Sequence, residues 1–100
     1  MAELCLTILC PPPFSEQVLD TLLTMPEISF YTSSAVSAHG LEHSVLSATE
    51  QVLGLARMTR IEALLSHADR EQILASLRQT LSGTRLKYWI APVIEEGEFS

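Results

Sequence analysis

The spacing of apolar side chains is the feature that most restricts the fold of this chain. Apolar residues recur at every second position in four segments and at every third or fourth position in two others. Alternation places side chains on both faces of a strand, whereas the longer period lines one face of a helix. The segments follow in the order strand, helix, strand, and this order then occurs a second time. The pattern restricts the chain to a sheet covered by helices.

Four strands are predicted, over the ranges Glu3–Cys10, Ile28–Ser37, Ala56–Ser66 and Arg85–Ile94. The last strand is apolar on both faces beyond Lys87, with Tyr88, Ile90 and Ile94 on one face and Trp89, Ala91 and Val93 on the other. A strand that is apolar on both faces must be covered on both. Helices can cover one face, so we expect a second copy of the chain to cover the other.

The first helix is predicted between two sets of prolines. The run Pro11–Pro13 ends the first strand, because prolines cannot donate hydrogen bonds to a sheet. Ser15 is the predicted N-cap, with Phe14 and Leu19 placed as a hydrophobic staple. Pro26 stops the helix. The expected buried stripe consists of Val18, Leu19, Leu22 and Leu23.

The second helix is predicted to open at Asp69, which has capping-box spacing to Gln72, and to finish near Gly83. Its expected buried residues are Ile73, Leu74, Leu77 and Leu81. The doubled unit predicts a four-stranded antiparallel sheet with two helices on one face, the ferredoxin-like βαββαβ arrangement of the α+β class. We expect a single domain over residues 1–100, ending in an acidic tail over residues 95–100.

Charge and composition exclude several functional classes. Six basic against twelve acidic side chains give a formal net charge of −6, which disfavours nucleic acid as a partner. The sequence lacks a run of about 20 apolar residues and a secretory signal, so we expect a cytoplasmic protein without direct membrane insertion. Cys5 and Cys10 fall on opposite faces of a strand and are expected to stay reduced. No catalytic signature is present, so we expect no enzyme activity and no catalytic residues.

A long connection, His39–Gly54, separates the second and third predicted strands, and with its flanks it spans residues 38–55. His39, Glu42 and His43 form the candidate metal site, because a helical turn would bring both imidazoles to one zinc, nickel or copper(II) ion. In an extended segment the two histidines would stand roughly 13 Å apart and could not share an ion. The alternative is that His39 and Gly40 form a turn and His43 is a solvated surface residue.

The same connection carries the signals of a short helix. Ser47 and Glu50 have capping-box spacing and Gly54 follows as a C-cap, which predicts a helix over Ala48–Leu53. This helix would present Leu46, Val52 and Leu53, next to Glu50. Apolar side chains there indicate docking to a partner, or packing of the loop on the body of the subunit.

With this element order, the chain resembles the PII and PII-like signalling proteins over nearly its whole length. The resemblance rests on Arg60-Ile61-Glu62 in the third strand, on Ala91-Pro92-Val93 in the fourth, and on the long loop in the position of the PII T-loop. His39-Gly40, His43 and the run Glu50–Gly54 resemble more narrowly the poorly characterised PII-like group encoded beside heavy-metal efflux pumps of the RND type.

The resemblance implies a regulatory homotrimer with its sheets facing inward, effector clefts near the loop bases, and a loop that engages a partner. That partner would be a membrane transporter, handling heavy metals. Carried over to this sequence, Gly40, Arg85 and Lys87 would bind the effector, which would be a divalent metal ion or an adenine nucleotide.

The chain departs from the PII pattern after the last strand, where two arginines are replaced by the sequence Ile94-Glu95-Glu96-Gly97-Glu98. Carboxylates repel triphosphate, which favours a smaller or less charged effector or a metal ion. One alternative is a binding protein of the CutA class, which shares this architecture and is tied to divalent-ion tolerance. Another is an interaction domain that binds no small ligand.

Overall fold

The computed structural model describes residues 2–28, 30–40 and 46–100. Its strands are β1 (Leu4–Cys10), β2 (Phe30–His39), β3 (Leu55–Leu65) and β4 (Lys87–Pro92), and its helices are α1 (Pro12–Leu23), α2 (Ala48–Leu53) and α3 (Arg70–Leu81). The strands form one antiparallel sheet in the order β2-β3-β1-β4. Side chains of α1 and α3 share the core with one face of this sheet. The ferredoxin-like α+β prediction is confirmed.

The core follows from the strand register. Leu6 of the central strand β1 lies opposite Ala63 of β3 and Ile90 of β4, and Ile8 lies opposite Ile61. Directly opposed residues in antiparallel strands point to the same face, so these side chains form one apolar layer. Helices α1 and α3 pack on that layer through residues of their predicted stripes. The buried helical residues are Val18, Leu22, Ile73, Leu74 and Leu77.

Helices α1 and α3 do not pack on the other face of the sheet. We call this side of the sheet the helix-free face, and its apolar residues include Cys5, Leu9, Phe30, Val36, Met58, Leu64 and Trp89. Phe30 remains 57% exposed and Trp89 45% exposed, whereas Thr7 between them is almost fully buried. On this face Thr7 at the centre of the sheet is thus shielded from solvent, whereas the large side chains of the edge strands β2 and β4 are not.

The start of α1 differs from the prediction. The helix begins at Pro12, so Pro12 and Pro13 occupy its first two positions, where a missing N–H is no loss. Ser15 is therefore inside the helix and is not its N-cap. Its hydroxyl donates to the Pro12 carbonyl at 2.8 Å. The predicted staple of Phe14 and Leu19 therefore loses its basis. Leu23 is 73% exposed, since five residues of helix rotate it well away from Val18.

The predicted capping box of α3 is also wrong. Residues His67–Asp69 form a 3₁₀ turn, and Asp69 has helical backbone angles with no side-chain cap. Its carboxylate instead accepts a hydrogen bond from the Ser66 hydroxyl at 2.8 Å, and Gln72 donates to Glu27 at 3.0 Å. Both polar groups thus have other partners, a hydroxyl three residues upstream for Asp69 and a carboxylate 45 residues away in the chain for Gln72, although the sequence spacing had assigned them to each other.

The ends of β2, β3 and β4 shift as well. β2 begins at Phe30, and Ile28 is a core residue of the preceding turn, 6% exposed. The long connection is shorter than predicted because β2 continues through His39 and β3 starts at Leu55. β4 covers Lys87–Pro92 alone, since only these residues pair with β1, and Ile94 is fully exposed beyond it.

Candidate functional site

A cleft of about 320 Å³ opens at the end of the sheet where β1 finishes and β3 and β4 begin. Four segments line it, namely Leu9 with Pro11–Pro13, Ser47 with Glu50, Ala56–Met58, and Thr84–Lys87. The antiparallel order explains this convergence, because the central strand β1 pairs Cys10 with Thr59 on one side and Leu9 with Lys87 on the other. The cleft therefore joins the scaffold to α2 of the long loop.

Among the residues that the structure describes, three basic side chains, Arg57, Arg85 and Lys87, line this cleft against one carboxylate, that of Glu50. We call it the basic cleft. The whole chain has only six basic residues and carries a formal charge of −6, so half of its cations converge at one place. A cleft with an excess of cations attracts anions and orients them by charge-assisted hydrogen bonds.

The backbone of the segment between α3 and β4 is unusual. Gly83 has φ +81° and Arg85 has φ +59°, in the left-handed region that arginine seldom adopts. Such a conformation costs a non-glycine residue about 1–2 kcal/mol. Thr84 braces the segment, because both its N–H (3.2 Å) and its hydroxyl (2.6 Å) donate to the Leu81 carbonyl. Arg85 is thus held at the cleft by a strained backbone, an arrangement that is typical of functional sites.

The helix α2 agrees with its prediction in bounds and in caps. The Ser47 hydroxyl accepts from the Glu50 N–H at 3.2 Å, and Glu50 Oε1 accepts from the Ser47 N–H at 2.9 Å. Gly54 closes the helix with φ +71°. The two residues of this capping box are also the two that α2 contributes to the basic cleft. Order in the loop is therefore tied directly to the wall of the cleft.

The apolar residues of the predicted docking loop are largely uncovered. Val52 is 87% exposed and Leu53 is 61% exposed, while Leu46 is half-buried. α2 buries none of its residues. The expectation that Val52 and Leu53 pack on the body of their own subunit is thus wrong. Docking of these residues to a partner stays a prediction.

The structure separates the predicted effector residues. Arg85 and Lys87 line the basic cleft, whereas Gly40 is not among its lining residues and forms a turn with φ +76° after β2. His39 is the exposed last residue of β2 and lies opposite Leu55. The other two candidate metal ligands, residues 42 and 43, lie outside the described residues. Within residues 2–28, 30–40 and 46–100, no three metal-ligating side chains come together.

Arg57 is a cleft residue that sequence reasoning missed. It stands near the start of β3, far in sequence from Arg85 and Lys87, and no local motif distinguishes it. The signal was available only from topology, because the predicted sheet places the start of β3 and the start of β4 on either side of the end of β1.

The cysteines have the character of packing residues. The Cys5 thiol donates to Glu62 Oε2 at 3.8 Å on the helix-free face, and burial, followed by the negative charge of Glu62, raises its pKa. Cys10 is fully buried, and burial raises the pKa of its thiol too. A raised pKa lowers the thiolate fraction at neutral pH.

No described helix is long and apolar enough to cross a membrane.

Fold and cleft together define a small α+β protein with a ferredoxin-like sheet and a basic cleft beside a loop helix. The model of the family DUF3240, proteins of unknown function, matches residues 1–100, and the chain belongs to this family. No curated protein matches the sequence.

Solved structures agree on the fold. A DUF3240 family protein from Shewanella baltica OS155 superposes with a TM-score of 0.81 at 18% identity, covering 100% of this chain and 99% of that one. The periplasmic divalent cation tolerance protein CutA from Archaeoglobus fulgidus gives 0.71 at 9% identity, with coverages of 96% and 88%. GlnK from B. subtilis, solved in complex with ATP, gives 0.64 at 17% identity, with coverages of 92% and 83%.

Proposed function

We propose that this chain is a PII-like regulatory protein that binds an anionic effector, of the adenine nucleotide class, in the basic cleft. The convergence of Arg57, Arg85 and Lys87 beside the capping box of α2 carries the proposal. The likeness of the fold to GlnK, which was solved with ATP, is consistent with it. We assign no catalytic step to the chain.

The charge distribution favours an anion over a metal ion at this cleft. A divalent cation would face three positive side chains and one carboxylate, Glu50, which already accepts the Ser47 N–H. The acidic tail does not oppose an anion within the same chain, because it leaves the far end of β4. There the Val93 N–H donates to the Glu3 carbonyl at 2.9 Å, and Glu96 accepts from the Ala2 N–H at 2.6 Å.

The loop helix supplies a route from effector to partner. An anion in the cleft would contact Arg85 and Lys87 on the scaffold beside Ser47 and Glu50 of α2. An effector that binds the ordered loop better than the open loop shifts the population toward order. Ordered α2 presents Val52 and Leu53 to solvent, and these side chains form the docking surface for a transporter, one that handles heavy metals.

The helix-free face supports self-association. Phe30 and Trp89 are exposed apolar residues on either side of the buried Thr7. Exposed apolar side chains of this size are typical of an interaction surface. The face is formed by both edge strands as well as the central pair, so it extends across the whole sheet. We assign its cover to further copies of the chain in a cytoplasmic homotrimer.

Isothermal titration calorimetry with ATP tests the effector site. Arg57→Ala and Arg85→Ala are each expected to weaken binding about tenfold or more, the loss typical of a hydrogen bond to a charged group. Arg70→Ala is the matched control, because Arg70 pairs with Glu71 at 3.3 Å, keeps 44% of its side chain exposed and does not line the cleft. Absence of ATP binding, or equal binding by all three variants, would overturn the proposal.

A second candidate function is divalent-cation binding of the CutA type. Two observations favour it, namely the exposed imidazole of His39 at the end of β2 and the likeness of the fold to CutA. Zinc titration of the protein and of the His39→Ala, His43→Ala double variant separates the two functions. Zinc binding that is lost in the double variant, without any ATP binding, would favour this second candidate over the basic cleft.

A further inference from the structure

A second cavity of about 320 Å³ lies on the helix side of the sheet, between α3 and the strands β1 and β4. Six apolar side chains line it, and we call it the leucine cavity: Leu6, Ile8, Leu74, Leu77, Leu81 and Leu86. Leu6 and Ile8 are core residues with almost no exposed surface, so the cavity reaches down to the hydrophobic core. It shares Thr84, Arg85 and Leu86 with the basic cleft, where Arg57 and Lys87 add further positive charge.

The leucine cavity is open because the sheet ends beside it. β4 is an edge strand, and it starts only at Lys87, six residues after the end of α3. Tyr88 lies opposite Ile8 and shares its face, yet Tyr88 is 46% exposed while Ile8 is 3% exposed. Apolar cavities of this kind hold water poorly and accept apolar ligands. The volume is at the lower end of the roughly 300–1,000 Å³ range of small-molecule sites.

The rim of the cavity is cationic. Arg78 of α3 lines it, and its guanidinium donates to the Tyr88 hydroxyl at 3.4 Å. In the described part of the chain, ion pairs join Arg60 to Glu62 and Arg70 to Glu71, and Arg78 takes part in neither. No carboxylate lines the cavity among residues 2–28, 30–40 and 46–100. The charge of the guanidinium at the mouth is therefore available to a ligand.

We propose that the leucine cavity binds a small amphipathic organic anion, with its apolar chain among the leucines and its carboxylate at Arg78. Charge complementarity selects this class, because an apolar interior with a cationic rim matches a molecule with one apolar end and one anionic end. The site adjoins the effector cleft at residues 84–86, but each has a basic residue of its own, since Arg78 lines the leucine cavity and Arg57 lines the basic cleft. A polyphosphate suits the three cations of the basic cleft, whereas it would leave the leucine cavity unfilled.

Octanoate is the probe, titrated by calorimetry against the full chain. We expect saturable binding that Arg78→Ala weakens about tenfold. Arg70→Ala, on the same helix and outside the cavity, is expected to bind octanoate like the unaltered protein. Butyrate, which lacks the chain, and octylammonium, which has the opposite charge, are expected not to bind. Arg57→Ala should leave octanoate affinity unchanged, so this test and the ATP test fail independently.

Two outcomes would overturn the inference. One is that octanoate fails to bind, or binds the Arg78→Ala and Arg70→Ala variants equally. The other is that octanoate binds only after Phe99→Ala. Phe99 is a fully exposed aromatic residue of the acidic tail, and this result would show that a neighbouring copy's tail is the occupant of the cavity.

Discussion

The capping box of α2 makes loop order sensitive to a single hydroxyl. Ser47→Ala removes the acceptor of the Glu50 N–H, a hydrogen bond of 3.2 Å, and leaves the backbone N–H of residue 47 in place. An N-cap serine replaced by alanine costs about 0.5–2 kcal/mol, typically near 1. α2 has six residues and buries none of them, so no packing term in the helix offsets this loss.

The effect on the loop follows from these numbers. A loss of about 1 kcal/mol raises the ratio of open to closed helix about fivefold, since 1.4 kcal/mol corresponds to a factor of ten. The hydrophobic core contains no residue of α2, so the global free energy of unfolding is expected to stay the same. Local opening and global stability should therefore respond differently to the same substitution.

Native-state amide hydrogen exchange measures the opening. The informative amides are Gln51 and Gly54, whose N–H groups donate to the Ser47 and Glu50 carbonyls at 2.9 and 2.8 Å. Ser47→Ala should speed their exchange about fivefold, whereas Thr49→Ala, an exposed change in the same helix, should not. Unchanged exchange at both amides, or an equal loss of global stability in urea, would refute the reasoning.

Three further predictions concern the hydrophobic core, the backbone at Arg85 and the thiol of Cys5. Leu22→Ala should lower the free energy of unfolding by about 2–5 kcal/mol because Leu22 is fully buried, whereas Leu23→Ala, 73% exposed on the same helix, should cost under about 0.5; urea denaturation compares them. Arg85→Gly should be about 1 kcal/mol more stable than Arg85→Ala, because glycine relieves a φ of +59° and both variants lack the side chain; equal stabilities in urea would contradict this. The negative charge of Glu62 contributes to the raised pKa of Cys5, so Glu62→Gln should shift the pH profile of iodoacetamide labelling at Cys5 to lower pH, and an unmoved profile would contradict that cause.

The face on which each strand residue lies could be predicted from sequence because alternation is a local property. Ile61 and Ala63 fall on the core face and Arg60 and Glu62 on the helix-free face, as their spacing indicates. The cap of α2 was equally predictable, since its two capping hydrogen bonds join Ser47 and Glu50 across one helical turn.

Other features depend on contacts that no local pattern carries. Gln72 has the same spacing to Asp69 as Glu50 has to Ser47, yet its amide donates to Glu27, 45 residues away in the chain. Arg57 joins the basic cleft only because the sheet order brings three strand ends together. The leucine cavity could not be predicted either, because it depends on where β4 begins relative to the end of α3.

Native mass spectrometry of the untagged protein, titrated with ATP and separately with zinc, tests the central claim most directly because it counts subunits and ligands together. We predict a trimer that binds one ATP per subunit and loses that binding in the Arg57→Ala, Arg85→Ala double variant but not in Arg70→Ala. A monomer that binds no ATP, or a trimer that binds zinc alone, would contradict the account.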